Sequence, residues 1–398
     1  MAWPLPQLKR PDWPEPPSPA RWLALLLAAF AIGLTAASLL WPRASLGQGW
    51  RFWGWALLMP WLVWLMLWGL RYYLFETERE NIRAEHQAQD ELRAGWVQWA
   101  RAALPVTAVS VIHPQERPLN GALSGQNGPH QDQALALDAL LPGKPLPQRL
   151  LALLDQLLTP ELRQALARLD HCQLLLCAPA RHAESWRSLC WSRLSELPAG
   201  QAWQAGSRDL DPEQTRAWLL AAHGGPDGEG RLRQPALLLA AHLHPELTLG
   251  ASAPAQCELG FALLLQPDAA QPLVYLPRPM PTDAAQMMAD FATLQEIQLP
   301  GADAPRGWHS QLDETAQAAW GRIAELPALQ WLKNQPPRCH ALDSWLGQTG
   351  AWGYPLQLAL LCQLRLPGAQ VLAWQQQESS WIQAIINSPP SGAMEKAA

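Results

Sequence analysis

The chain has 398 residues, a hydrophobic fraction of 49% and only 16% charged residues, well under the ~25% charge of an average globular protein. That balance excludes a disordered chain, and at roughly 100–200 residues per domain the length allows two or three structural units. With 29 basic against 34 acidic residues the formal net charge is −5, so the basic excess of a nucleic-acid binder is missing.

Residues 1–21 form an arm rich in Pro. Residues 22–41 and 52–70 then give two uncharged apolar stretches, each close to the ~20 residues needed to cross a bilayer core. Both exceed the ~7–15 residues of a signal-peptide apolar region. Trp22, Trp41, Trp50, Trp53 and Trp55 fence them, as indoles do at the headgroup level. The expectation is a transmembrane hairpin over 22–73, with Pro60 kinking the second span because it removes a backbone donor. Trp61, Trp64 and Trp68 share one helical face, which faces either lipid or a partner helix. The arm carries Lys9, Arg10 and Arg21, the connecting loop Arg43 and Arg51, and the exit Arg71, Arg79 and Arg83. The basic residues favour both ends, which puts both termini and everything after residue 73 in the cytoplasm.

Residues 74–103 read as a polar helical stalk, with Glu76–Arg79, Glu80–Arg83 and Asp90–Arg93 as i,i+3 pairs. At its end Trp96, Trp99 and Leu104 are spaced to turn toward a domain. From there strand and helix patterns alternate across 104–387. Strands are expected at 106–112, 173–177, 235–243, 257–265 and 369–374. Helices are expected within 147–169, at 183–195, from Asp211 to about Ala222, at 282–295, 311–326 and 356–364. Residues 380–386 are apolar and of undecided type. The runs at 235–243 and 257–265 are apolar throughout, as strands buried on both faces are. The fold class read from this pattern is α/β, a layered domain behind a two-helix hairpin and a stalk. Residues 388–398 read as a disordered tail.

The six cysteines are Cys172, Cys177, Cys190, Cys257, Cys339 and Cys362. Several lie in apolar runs, and no CxxC pair occurs, so they read as reduced core thiols rather than disulfides, zinc ligands or a redox pair. There is no phosphate-binding G-x-x-x-x-G-K-[ST] motif. Gly224 to Gly230 read as a surface loop. His242 and His244 lie on one face of a strand, but no third ligand stands near them, so no metal site is assigned. Gly250-Ala-Ser252-Ala-Pro254 copies part of a nucleophile-elbow motif without its last glycine or a strong helix after it.

Gly347-Gln-Thr-Gly-Ala-Trp-Gly353, followed by an apolar helix, resembles the Gly-His-Thr…Gly-Ala-x-Gly segment of β-ketoacyl synthases and thiolase-like proteins. The strand pair around Glu258 and Gly260 resembles the paired strands of the same superfamily. The likeness covers about 235–386 and implies a thiolase-like fold. Gln348 stands where that family's catalytic His is expected, and an amide neither titrates nor accepts a proton near neutral pH. No cysteine lies in a strand–turn–helix context suited to holding an acyl group. The resemblance therefore implies the fold and argues against the activity, and no catalytic, cofactor-binding or metal residue is assigned.

The whole layout, a Pro-rich arm, a Trp-rich hairpin, a stalk and this domain, also resembles accessory proteins encoded with type VI secretion effectors in proteobacteria. Trp96-Val-Gln-Trp99 and Leu342-Asp-x-x-Leu-Gly347 carry that likeness. It implies an inner-membrane-anchored, non-enzymatic adaptor that binds a protein partner, such as a secretion effector or spike component, without a cofactor. Two other classes stay open. One is a membrane-bound acyl-transfer or hydrolytic enzyme using Ser252, Cys257 or the nearby histidines. The other is a cell-envelope scaffold assembled through the Trp face.

Overall fold

The structure, a computed structural model, describes residues 9–40, 49–114, 143–197, 206–225, 229–244, 256–299, 306–323, 339–366, 368–376 and 379–387, with Trp3, Pro42, Leu119, Leu123, 135–137 and Trp203. The expected tail at 388–398 and the Ser252 segment lie outside these residues. The chain divides into two units, Pro6–Gly95 and a larger one made of Met1–Leu5 with Trp96–Ala398.

In the smaller unit, helix α1 (Pro19–Leu40) is followed by one continuous helix, α2 (Trp50–Ala100), whose last residues enter the larger unit. Both are long and apolar enough to cross a membrane. The second expected span and the stalk are therefore one helix, because no Gly or Pro interrupts residues 70–100 strongly enough to stop it. The kink expected at Pro60 takes the form of a wide π turn over Gly54–Leu58, just before the proline. Pro60 and Ala56 press on α1 at Gly33, where a Cβ would fall 2.6 Å from the Ala56 carbonyl oxygen. Of the three tryptophans, Trp64 turns to α1 and donates its indole N–H to the Trp22 carbonyl at 2.8 Å. Trp61 and Trp68 stay 41% and 38% exposed, so the shared face divides between the two roles. Glu76–Arg79 and Glu80–Arg83 pair as expected. Asp90 pairs with Arg10 instead of Arg93, because the arm lies along this part of α2, with Gln89 donating to the Lys9 carbonyl.

The larger unit contains two mixed sheets. The first runs β3-β2-β4-β5-β1-β6 and the second β7-β11-β10-β8-β9. Their strands are β1 (Ala103–Ile112), β2 (Gln173–Cys177), β3 (Arg208–Leu210), β4 (Ala236–His242), β5 (Leu259–Leu265), β6 (Val274–Pro277), β7 (Met280–Thr282), β8 (Arg306–Ser310), β9 (Cys339–Ala341), β10 (Gln370–Gln376) and β11 (Ser379–Ile385). Numbered within each half, both sheets have the spatial order 3-2-4-5-1, with β6 added at the edge of the first. In both, the second, third and fourth strands are parallel and the fifth is antiparallel to its neighbours. The domain is thus an internal duplication, far longer in period than the short repeats of solenoids.

The helices between strands are α3 (Leu146–Leu157), α4 (Pro160–Leu166), α5 (Ala183–Leu194), α6 (Pro212–Ala221), α7 (Met287–Gln298), α8 (Glu314–Ile323), α9 (Asp343–Leu346) and α10 (Gly353–Leu364). Thr159 caps α4 by accepting from the Leu162 N–H, and Asp211 caps α6 in a capping box with Gln214; each is the Ser/Thr/Asp–Pro–Glu start visible in the sequence. Strand β4 is buried on both faces, as expected. Leu237, Leu239 and Ala241 pack outward with Leu150, Leu153 and Trp186 of α3 and α5. Leu238 and Ala240 pack inward with Leu219 of α6, Leu356 and Leu360 of α10, and Trp308 and Leu372 of the second sheet. On the far face of the second sheet, Val371 and Ala373 meet Phe291 of α7 and Trp320 of α8. The order is helices, sheet, central helices, sheet, helices. In β1 a register shift between Val106 and Ala108 moves the side-chain alternation, so Val106 joins the central core and Ala108 the outer one, the expected effect of a bulge.

Several segments differ from the sequence reading. The helix expected at 282–295 runs Met287–Gln298, with Met280–Thr282 forming β7, and the undecided segment 380–386 is strand β11 over Ser379–Ile385. Strands β3, β6, β7, β8 and β9 have no periodic apolar signal, since each spans only three to five residues. The Gly224 loop is structural: Gly224 has φ +80° and its carbonyl accepts from buried Arg278, whose guanidinium lies 4.2 Å over Trp99.

Gly260 in β5 faces α3, and a Cβ there would come 2.7 Å from Leu153 Cδ1. Overpacking of this kind costs about 1–3 kcal/mol. Gly260→Val should lower the melting temperature by several degrees, and Gly321→Ala, on an open helix face, should raise it slightly through helix propensity; equal effects in a thermal melt would contradict this packing.

Candidate functional site

The carboxyl end of β4 meets the loop after β9. Cys257, just before β5, donates its backbone N–H to the Gln348 carbonyl at 2.7 Å. Its thiol donates to the Leu346 carbonyl at 3.2 Å and accepts from the Leu135 N–H at 3.1 Å. Burial pushes this thiol up, against the lowering effect of the Leu135 and Gln348 hydrogen bonds. A nucleophilic cysteine needs the opposite shift.

Next to it, Glu258 and Arg149 form a buried ion pair at 2.6 Å, with side chains 0% and 3% exposed. The carboxylate also accepts the N–H groups of Leu137 and His244, and Arg149 donates to the His244 carbonyl. Breaking such a pair strands a charge in the core, so it holds a geometry more than it adds stability. It ties α3 to His244 after β4 and to Glu258 before β5.

His242 and His244 do share a face, as expected, with ring centroids 5.3 Å apart. His244 Nε2 lies 2.7 Å from the Gln256 carbonyl and therefore carries its proton toward it. His242 is buried beside Trp352, and neither ring nitrogen has a hydrogen-bond partner. Burial, followed by the charge of nearby His244, holds its pKa down to about 4. Among the described residues no group of three or more His, Cys, Asp or Glu could hold a metal ion. Cys172, Cys177, Cys190 and Cys362 are buried free thiols, each raised mainly by desolvation.

The glycine segment forms the expected turn at the start of a helix. Gly347 and Gly350 have φ of 69° and 56°, conformations that disfavour a side chain, and a Cβ on Gly350 would overlap the side chain of Gln256. Gln348 is exposed at its rim. Behind it, Asp343 accepts from the Ser310 hydroxyl and the Gln311 N–H, both at 2.6 Å, and Gln357 donates to Ser310. A cavity of about 430 Å3 opens here, lined by Gln256, His309, Gln317, Asp343, Gln348 and Thr349 among others.

His309 is a site residue the sequence reading missed. Its strand, Arg-Gly-Trp-His-Ser, has one apolar residue and no alternation. The only local signal was the helix start at Asp313, whose carboxylate accepts the Ala316 N–H. Neither nitrogen of His309 has a partner, and burial holds its pKa down to about 4. The site thus brings together Cys257, His242, His244 and Gln348, with His309 across the cavity. Among the described residues the cavity's side chains are uncharged apart from Asp343, and the Cys257 thiol is raised rather than activated.

No family model and no curated protein matches the chain. Among solved structures it is similar to the ishigamide ketosynthase/chain length factor, at 15% identity over 72% of this chain and 99% of that one, TM-score 0.43. It is also similar to 3-oxoacyl-(acyl carrier protein) synthase III from Pseudomonas aeruginosa PAO1, at 15% identity over 72% and 98%, TM-score 0.39. A third is cerulenin-bound OleA from Xanthomonas campestri, at 9% identity over 71% and 96%, TM-score 0.39. TM-scores below 0.5 do not establish a shared fold, and identities this low carry no activity across. None of the three names a secretion system, so the type VI layout rests on the sequence alone.

His223, His242, His309 and His340 are each held down to about 4 from 6.5, chiefly by burial. Above about pH 6.5 they are neutral folded and unfolded. As pH falls the unfolded chain takes up protons first, so stability is lost progressively from about pH 6.5 toward 4. The denaturant midpoint should fall between pH 7 and 4.5, with a shallower slope in His309→Gln; a flat profile in the parent chain would contradict these burial shifts.

Proposed function

We propose that this chain is a membrane-anchored protein whose α/β domain works by binding a protein partner and carries no acyl group on a thiol. The observation that supports this reading is the state of Cys257. It is the one cysteine among the described residues seen to touch the glycine turn, and its thiol is raised and spends its proton on a backbone carbonyl. Gln348 beside it has no proton-transfer chemistry to offer. The duplicated strand order fits the thiolase-like resemblance of residues 235–386, and Gln348 at the position of that family's catalytic His supports a reading without condensing chemistry. The hairpin anchors it in the bacterial inner membrane, with both termini in the cytoplasm from the distribution of Lys and Arg. A secretion effector or spike component is the partner implied by the sequence layout.

A second reading is an acyl-transfer or hydrolytic enzyme of the membrane. His309 favours it: the residue lines a polar cavity, and burial keeps its imidazole unprotonated, the form a general base requires.

Intact-mass measurement of the detergent-solubilised full chain after incubation with acetyl-, malonyl- and octanoyl-coenzyme A separates the two. The binding reading predicts no covalent adduct and no thiol release above buffer. An acyl adduct on a Cys or Ser would overturn it in favour of the enzyme.

A further inference from the structure

The N-terminal arm carries one four-residue pattern twice, as Trp3-Pro4-Leu5-Pro6 and Trp13-Pro14-Glu15-Pro16. The two tryptophans sit in different surroundings. Trp13 belongs to the smaller unit, is 54% exposed, and meets His86 edge-on with ring centroids 5.0 Å apart. Trp3 belongs to the larger unit and is 4% exposed. Its ring meets Trp96 at 6.0 Å and Trp99 at 6.2 Å, both edge-on, and its indole N–H donates to the Pro279 carbonyl at 3.1 Å.

The socket that holds Trp3 is built without the arm. Arg278 donates to the Trp99 carbonyl at 3.2 Å and lies over the Trp99 ring. Gln298 donates to the carbonyls of Ala100 and Arg278, both at 2.8 Å, and Arg101 donates to the Ile297 carbonyl at 2.7 Å. These bonds hold the end of α2 against α7 and the link between β6 and β7, with no arm residue taking part. Trp96 and Trp99 stay partly exposed with Trp3 in place, so the socket opens at the surface. The arm that delivers Trp3 is held more lightly. Residues 9–18 form neither helix nor strand, and Arg10–Asp90, the arm's ion pair among the described residues, is open to solvent, where such pairs contribute little.

A tryptophan presents a large rigid apolar surface with one donor at its edge. Two indole walls and a carbonyl at the rim match both features. Prolines after the tryptophan restrict the backbone before binding, which lets Pro-rich segments enter aromatic-lined grooves at low entropic cost. A segment tethered to the same chain also acts at a high effective concentration, so the arm would keep such a socket filled.

We propose that the socket of Trp96, Trp99 and Pro279 is a docking site for a Trp-Pro-x-Pro segment of a partner protein, and that Trp3 fills it in cis as a displaceable plug. The seated segment defines the chemistry the site recognises, and the partner's segment takes its place by competition. This assignment rests on the binding reading above and names the chemistry of the partner.

The test uses the full chain in a non-ionic detergent, with Trp3→Ala opening the socket. The probe is the seven-residue peptide of residues 1–7 carrying an uncharged fluorophore, read by anisotropy. It should bind Trp3→Ala saturably and about ten-fold or more tighter than the parent chain, where the tethered plug competes. The unlabelled peptide of residues 12–16 should compete, and either peptide with Ala in place of Trp should not. A benzophenone-bearing probe should crosslink within residues 96–102 or 278–280. Should Trp3→Ala fail to fold, a protease site in place of Gln7 and Leu8, cut after purification, frees the plug and leaves the socket unaltered; the cut fragment should exchange for the labelled probe. No saturable binding to the open form, equal binding to the parent chain, no competition by the second repeat, binding that ignores the tryptophan, a cut fragment that does not exchange, or crosslinks elsewhere would overturn the proposal and make Trp3 a fixed part of the core. Those results leave the binding reading standing as long as no acyl adduct forms. An adduct overturns that reading whatever the peptides do.

Discussion

The larger unit depends on one helix being apolar on every side. From Gly353 to Cys362 every residue of α10 is buried, because it lies with α6 between two sheets. A helix that is hydrophobic all round has to be enclosed, and each fully buried Leu is worth about 1.5–3 kcal/mol. The two inner sheet faces must then be apolar as well, which is why β4 and β5 are continuous Leu–Ala–Phe runs. The other consequences follow from that enclosure. The sheets end at the same place as the helix begins, so the loops after β4 and β9 are forced together there. The outer helices α3, α5, α7 and α8 need only one apolar face each.

At that junction the chain spends its polar groups on structure. Glu258 and Arg149 are sealed from solvent and hold His244 through its backbone N–H and carbonyl. Cys257 in turn holds Leu346 and Gln348 through thiol and backbone bonds. Among the described residues that line the cavity here and the adjoining one beside Trp374, Asp313 and Asp343 are the only charged side chains, and both accept hydrogen bonds from the fold itself. The Cys257 thiol is committed to the Leu346 carbonyl.

The sequence showed the elements whose signal is local. The hairpin was visible in uncharged length, β4 and β5 in unbroken apolar runs, and α4 and α6 in Thr-Pro-Glu and Asp-Pro-Glu starts. The glycine turn and its helix at 347–364 were legible for the same reason. The short strands were not: β3, β7 and β9 span three residues each, and their pairing comes from neighbours distant in sequence. Asp90 was assigned to Arg93 by spacing alone, and the arm took it instead. The duplication was invisible because it resides in strand order, which leaves no periodic residue pattern. His309 was missed because its neighbours carry no alternation, and its importance appears only once β8 brings it to the cavity.

The most direct test of the account is the reactivity of Cys257 in the native full chain. Alkylation by iodoacetamide, followed by peptide mass mapping between pH 6 and 9, reads its thiolate fraction. The account predicts slow modification that rises only at the alkaline end, as for a thiol raised by burial. Rapid modification at pH 6–7, ahead of an unfolded cysteine peptide, would show an activated nucleophile and contradict the claim that this site binds without thiol chemistry.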